Sequence, residues 1–294
     1  MNKKGIILAG GLGTRLFPLT RSVSKQLLPI YDKPMIYYPL SVLMKAKIRD
    51  VMLISTVEDI DRFKKLLGNG ESLGMKIGYT VQKAPTGLAS AFLLAEKFIG
   101  KDPVTLILGD NIFSGTQLDT LLTDIDFTSP GATVFAIEVE DPSKYGVVEK
   151  NASGKVIKLL EKPIHPPSNL AVTGLYFYDN DVVEIAKHLK PSARGEYEIT
   201  DVNNVYLENH KLHVVVLDET VTWYDTGSFD SLLIASNFVK KEQERANTLI
   251  GSIELIAYQN GWINEEQLEK LELLFQSSGY GSKIRALSAV FVDK

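Results

Sequence analysis

The sequence predicts an α/β protein with a mostly parallel sheet flanked by helices. Short apolar, β-branched runs recur along the first half, and helical patterns of eight to thirteen residues separate them. Three glycines, Gly10, Gly11 and Gly13, crowd the turn after the first run. Strands are expected at 5–9, 51–55, 76–81, 104–108 and 133–138, and helices at 35–47, 58–67, 88–99 and 118–125. Connections between such strands are right-handed, and ligands sit beyond the carboxyl ends of the strands. Both the glycine turn and Leu108-Gly109-Asp110-Asn111 fall on that edge.

After residue 140 the runs shorten, and strands are expected at 145–150, 155–161, 172–178 and 212–217. Pro163, Pro166 and Pro167 forbid regular structure around them. From Ser228 onward the pattern is helical. Asn264 and Gln267 fit a capping box, Leu268, Leu271, Leu274 and Phe275 fall on one helix face, and Gly279 and Gly281 are expected to end that helix. The expected organisation is a core at 1–240 and a helical segment at 241–294 for contacts between subunits. Within the core, the change of rhythm separates a part at about 1–140 from one at about 141–227.

Composition narrows the class. Hydrophobic content of 45% and charged content of 23% are ordinary for a globular protein. No apolar run is long enough for a membrane helix, and the N-terminal apolar stretch is too short for a signal peptide, so a cytoplasmic protein without membrane contact is expected. The absence of cysteine excludes disulfides, and the four histidines lack zinc-site spacing. Residues 1–34 carry six Lys or Arg and one acid, a net +5, whereas the whole chain is −4. A cationic island on an acidic chain suits a small anionic ligand and not nucleic acid.

The island coincides with the glycine turn. Glycine admits positive φ and removes the Cβ that would hold a ligand off the backbone, so a strand running into bare glycines beside Arg15 and Lys25 can hold phosphates. The dinucleotide fingerprint is excluded, because Leu16 stands at the third glycine position. The P-loop is excluded because Gly100-Lys101 and Gly154-Lys155 continue into Asp and Val. A glycine turn alone is equally consistent with an ordinary surface turn. Asp110 and Asp225 taken singly read as turn residues. Two carboxylates beside phosphates also suit Mg²⁺. Gln82 offers a donor and an acceptor side by side, as thymine or uracil requires.

Longer strings decide more. G-G-x-G-T-R-L-x-P-L-T, S-K-Q-L-L-P and D-K-P-M-I-Y-Y-P-L, in that order, resemble the sugar-nucleotidyltransferase family. The resemblance implies a Rossmann-like nucleotidyltransferase fold with smaller sugar-binding β elements and a C-terminal helical appendage. It implies transfer of a thymidylyl group from dTTP to α-D-glucose 1-phosphate by direct displacement, giving dTDP-glucose and pyrophosphate, as a first step toward dTDP-rhamnose-type sugars. By resemblance, Asp110 and Asp225 are the Mg²⁺ ligands, and Arg15, Lys25, Asp110, Lys162 and Asp225 are catalytic. The implied nucleotide site comprises Leu8, Gly10, Gly11, Gly13, Thr14, Arg15, Lys25, Gln26, Gln82, Pro85, Gly87 and Asp110. The implied sugar site comprises Asn111, Tyr145, Gly146, Glu161, Lys162, Val172 and Arg194.

The family's homotetramer is expected, with a second nucleotide-sugar site in segments containing Gly115, Arg245, Glu254 and Ile256. Leu255 and Gln259 depart from the pattern there, so feedback by dTDP-rhamnose is expected to be weak or altered. A UTP-using enzyme is the nearest alternative, and a non-catalytic nucleotide-sugar sensor the rival from another class.

Overall fold

The computed structural model describes residues 2–127 and 129–292. Strand β1 (Lys4–Ala9) lies inside the central sheet, with Ile6, Ile7 and Ala9 at most 1% exposed, as cover on both faces requires. Single-turn helices at Thr14–Leu16 and Lys25–Leu27 follow, then a hairpin of β2 (Pro29–Ile30) and β3 (Lys33–Pro34). Helix α1 (Tyr37–Lys45) leads to β4 (Asp50–Ser55), and α2 (Ile60–Leu67) to β5 (Lys76–Val81). The short helices α3 (Ser90–Leu94) and α4 (Glu96–Ile99) lead to β6 (Val104–Leu108). β6, β1, β4 and β5 pair in parallel in that order, as the alternation of patterns requires. The expected helix at 88–99 is instead broken at Ala95, which leaves helical geometry between α3 and α4.

The second half extends the sheet. β8 (Ala132–Glu138), β9 (Gly146–Lys150), β10 (Val156–Glu161), β11 (Leu170–Tyr178) and β12 (Leu212–Val216) complete nine strands. β11 runs antiparallel to β6, β8 and β9, so the sheet is mixed beyond its parallel half. All nine residues of β11 are buried, Leu175 and Phe177 in the apolar cluster of Ile7, and Val172 and Tyr176 in that of Ile6. Helices α6 (Asp181–His188) and α7 (Ile199–Glu208) cover this half, a pair the strand-only reading of 141–227 missed. Their apolar stripes, such as Val182, Val183 and Ala186, are short and interrupted by acids.

Between the halves lie β7 (Asn111–Ser114), α5 (Thr116–Asp124) and, far along the chain, β13 (Thr222–Asp225), which pairs antiparallel with β7. Helices α8 (Phe229–Ala246), α9 (Ile253–Gln259), α10 (Glu265–Leu274) and α11 (Gly279–Val292) follow. Ile253, Ala257, Leu268 and Ile284 join the same apolar cluster as Ile7 and Leu40. The Asn264–Gln267 capping box forms as expected. Leu268 and Leu271 are buried, but Leu274 is 73% exposed, because α10 ends there and Phe275 takes the capping position. Gly279 opens α11 and does not terminate α10. At Gly281 a methyl group would stand 2.5 Å from the Phe275 carbonyl oxygen, so glycine here permits close helix approach. No helix among the described residues is long and apolar enough to cross a membrane.

A buried polar knot ties the hairpin to this tail. Lys33 donates to Asp32 and Gln243, and Tyr280 donates to Glu254, itself 2% exposed. Burial pushes the Glu254 carboxyl up, against hydrogen bonds from Tyr280 and Ser252 and the charge of Lys33. A carboxyl raised in the folded state binds its proton more readily there, so stability falls as pH rises through that folded pKa. Glu254→Gln is therefore expected to raise Tm near neutral pH, with the gain shrinking as pH falls toward the ordinary glutamate value of about 4.3. Thermal melts across that range check it.

Candidate active site

The strand ends meet at a cleft of about 730 Å³. Gly10 and Gly11 continue from β1 into its wall, and a methyl group on Gly11 would meet nothing within 4 Å. That bare main chain is open to a ligand. Gly13 turns the chain at φ 62°, and its carbonyl accepts a 2.7 Å hydrogen bond from the Thr20 hydroxyl. The single helical turn that follows aims Arg15 into the cleft. The guanidinium packs against Gly227, where a methyl group would lie 2.9 Å from it. Gly227 thus lets the first loop reach the segment after β13.

Lys25 occupies the next helical turn and is 5% exposed. Its Nζ lies 2.6 Å from the Asp110 carboxylate and 3.9 Å from that of Asp225. The β7–β13 pair makes this convergence. Asp225 sits opposite Asn111, and Thr226 donates to the Asp110 carbonyl through both N–H and hydroxyl, at 3.3 and 2.8 Å. Burial, and then the nearby Asp110 carboxylate, raise the Asp225 pKa; Lys25, Arg15 and Lys162 oppose the rise. The five residues expected to be catalytic therefore share one electrostatic neighbourhood.

The donor set fits a divalent cation. One ammonium serves two carboxylates, and burial and then the Asp110 charge raise the Asp225 pKa despite Lys25, Arg15 and Lys162. No cluster of three or more His, Cys, Asp or Glu that could hold a metal occurs among the described residues. A divalent cation held by Asp110 and Asp225 would take its other ligands from water or a bound anion.

Gln82, Pro85 and Gly87 line the cleft beside Leu8 and Gln26. Gly87 has φ +98°, and a methyl group there would stand 2.5 Å from both backbone N and O of Tyr197. That contact joins the 82–87 segment to the 194–198 loop, through Tyr197 N–H to the Thr86 carbonyl at 2.8 Å. Gln26 is braced by the Ser24 hydroxyl at 2.6 Å.

Asn111 on β7, and Tyr145, Gly146, Glu161, Lys162, Val172 and Arg194 from the second half, complete this side of the lining. Asn111 is 1% exposed, and its side-chain oxygen accepts from Trp223 Nε1 at 2.6 Å and Gly174 N–H at 3.0 Å. Its amide donates to Asp110 at 3.1 Å, so Asn111 braces three elements around the carboxylates. Tyr145 meets Trp223 edge to face at 5.1 Å. Arg194 is held by Glu198 and Glu161, at 2.9 and 3.1 Å, which neutralise it where it stands. Lys162 is less engaged, 3.8 Å from Glu161. Its φ of 43° before Pro163 is a strained, left-handed conformation that takes the chain out of β10, with Lys162 N–H on the Tyr145 carbonyl at 3.0 Å.

Three expected residues do not line the cleft. Gly13 and Thr14 shape the turn behind it, and Lys25 lies beneath the aspartates. Trp223, Glu198 and Thr200 line it and were not expected. Trp223 had a sequence signal, two positions before Asp225 on one strand face. In the segments expected to form a second nucleotide-sugar site, Glu254 and Ile256 are buried, 2% and 7% exposed, which leaves their side chains unavailable to a ligand. Arg245 there is exposed and pairs with Glu242.

Bare main chain at the strand ends, facing two carboxylates across a cleft of about 730 Å³, suits an α/β enzyme that handles phosphorylated ligands. The chain belongs to the nucleotidyl transferase family, whose model matches residues 4–242. A glucose-1-phosphate thymidylyltransferase of Neisseria meningitidis serogroup A is 53% identical over 97% of this chain and 99% of its own. Among solved structures, a Bacillus anthracis protein provisionally described as a glucose-1-phosphate thymidylyltransferase, in complex with sucrose, superposes with a TM-score of 0.74. It is 41% identical and covers 80% of this chain and 94% of its own. A UDP-glucose pyrophosphorylase complexed with UDP-glucose gives 0.68 at 29% identity, covering 82% of this chain and all of its own.

Asp225→Asn removes a carboxylate whose ionisation burial and Asp110 disfavour. The variant is expected to melt at a higher temperature than the parent near neutral pH, measured without added divalent metal.

Proposed function

We propose that this protein transfers a thymidylyl group from dTTP to α-D-glucose 1-phosphate, yielding dTDP-glucose and pyrophosphate. The observation that carries the reading is the convergence of Arg15, Lys25, Asp110, Lys162 and Asp225 on one cleft beside bare glycines. The glucose-1-phosphate thymidylyltransferase of Neisseria meningitidis, matched nearly end to end, supports the choice of substrates.

In this reading the triphosphate lies along Gly10 and Gly11, with Arg15 against its charge. Gln82 and the Gly87 backbone meet the base. Glu161 accepts from sugar hydroxyls, and Lys162 holds the sugar phosphate in line. An oxygen of that phosphate forms a bond to the α-phosphorus, while the bond from the α-phosphorus to the oxygen bridging to the β-phosphorus breaks and pyrophosphate departs opposite. Positioning and charge supply most of the catalysis in such transfers. Mg²⁺ held by Asp110 and Asp225 would neutralise phosphate charge. Lys25 keeps the two carboxylates together, and Arg194 must leave its glutamates to contribute to phosphate binding. We assign nucleotide binding to about 1–140 and sugar binding to about 141–227. The exposed Leu233, Ile234, Leu273 and Leu274 on α8 and α10 suit cover by further copies in a homotetramer.

A second reading has one observation in its favour, the similarity to a protein solved with UDP-glucose. Uracil and thymine share a hydrogen-bonding edge and differ by a methyl, a difference of about 1–3 kcal/mol in a fitted pocket. Side-by-side kcat/KM with dTTP and UTP decides between them.

Pyrophosphate release from dTTP and glucose 1-phosphate is the direct assay. Arg15→Ala and Asp225→Asn are each expected to lose about 10²-fold or more, and full activity in both variants removes the mechanism. Asp225 must be ionised to hold a cation, so kcat/KM falls as pH drops through its raised pKa. The acid limb should lie above the ordinary Asp value of about 3.9. Arg15→Ala removes a cation that lowers this pKa, and should move the residual acid limb to higher pH.

A further inference from the structure

Gln82 has an amide whose two ends differ only by O and NH₂, and the orientation decides which bases it can pair with. The surroundings fix it. Ser90 lies at the start of α3, 5% exposed, and its hydroxyl is 2.6 Å from the Gly87 carbonyl. A carbonyl only accepts, so the serine proton goes there. The Ser90 oxygen is then left to accept, and the Gln82 amide group 3.0 Å away must present its nitrogen. The Gln82 oxygen therefore turns the other way, over Gly10, where a methyl group would stand 2.4 Å from it. It carries no hydrogen bond among the described residues, and Gly10 and Gln82 both line the cleft.

We propose that Ser90 is a specificity-positioning residue: it locks the Gln82 amide in the orientation that pairs with a base bearing a ring N–H beside a carbonyl, and that rejects cytosine. The proposal rests on the reading of Gln82 as the base contact. In the locked orientation the free amide oxygen accepts from the ring N3–H of thymine or uracil, and the second amide N–H donates to an adjacent carbonyl. Cytosine has a lone pair at N3 and an amino group at C4, so the same amide meets lone pair with lone pair and N–H with N–H. A half-turn of the amide reverses both contacts, and the Ser90–Gly87 relay opposes that half-turn. Sequence reading could not find the pair, since Ser90 sits eight residues on, across a loop that Gly87 turns at positive φ.

The test is a competition in one tube: glucose 1-phosphate with equal dTTP and dCTP, reading the ratio of dTDP-glucose to dCDP-glucose. The ratio does not depend on how much enzyme is folded. Ser90→Ala is expected to lower it by on the order of tenfold, the effect of losing one orienting hydrogen bond. Ser90→Thr, which keeps the hydroxyl, is expected to hold it near the parent value. In Ser90→Ala the damage with dTTP alone should fall on KM more than on kcat. A merely structural brace would depress both nucleotides together and leave the ratio unchanged. An unchanged ratio in Ser90→Ala overturns the proposal, as does an equal collapse in Ser90→Thr. If Ser90→Ala is not recovered folded, Ser90→Gly carries the same expectation. Failure of the parent to use dTTP at all would instead remove the function proposed above.

Discussion

Everything in the cleft depends on a single ammonium group. Lys25 is almost wholly buried, and its Nζ holds Asp110 closely and Asp225 at a longer distance. Two carboxylates brought together in low dielectric repel strongly, and burial makes Asp225 harder to ionise. One fixed cation lies under both and favours the charged form of Asp225, against burial and the Asp110 charge. The site is thus held below its most stable arrangement, a common trade between stability and function. Arg15 and Lys162 add positive charge from other elements, so a polyanion and a divalent cation can enter the same space.

The fold is arranged to make that convergence. The parallel half carries bare main chain to the strand ends, where large side chains would block approach. The antiparallel half brings Tyr145, Glu161 and Lys162 to the opposite side through β9, β10 and their connection. Asn111 links the two, receiving Trp223 and Gly174 while touching Asp110.

Much of this was legible in the chain itself. Strands such as 76–81 and 104–108 were readable to the residue, because their apolar runs are short and bounded by turn residues. The glycines, the five charged residues and the capping box at Asn264 were likewise visible. What was hidden is long-range or weakly patterned. The β7–β13 ribbon joins two four-residue strands more than a hundred positions apart, and no local period announces it. Helices α6 and α7 have polar-interrupted stripes. Glu254 looked like a ligand-binding acid because residue type says nothing about whether a helix turns inward. Of the two acids that hold Arg194, Glu198 is only four residues on, but Glu161 comes from β10 and meets it only after folding.

The ribbon between β7 and β13 also orders events during synthesis. Asp110 leaves the ribosome early, already beside its glycine turn, but its partner carboxylate is more than a hundred residues behind. Closing so long a loop is slow, because the entropy of bringing its ends together is met before any contact rewards it. A nascent chain that has completed only the parallel half holds Gly10, Gly11 and both early cations, Arg15 and Lys25, yet cannot assemble the paired acids. The machinery is switched on by the arrival of the last short strand, so a half-made chain cannot carry out the reaction.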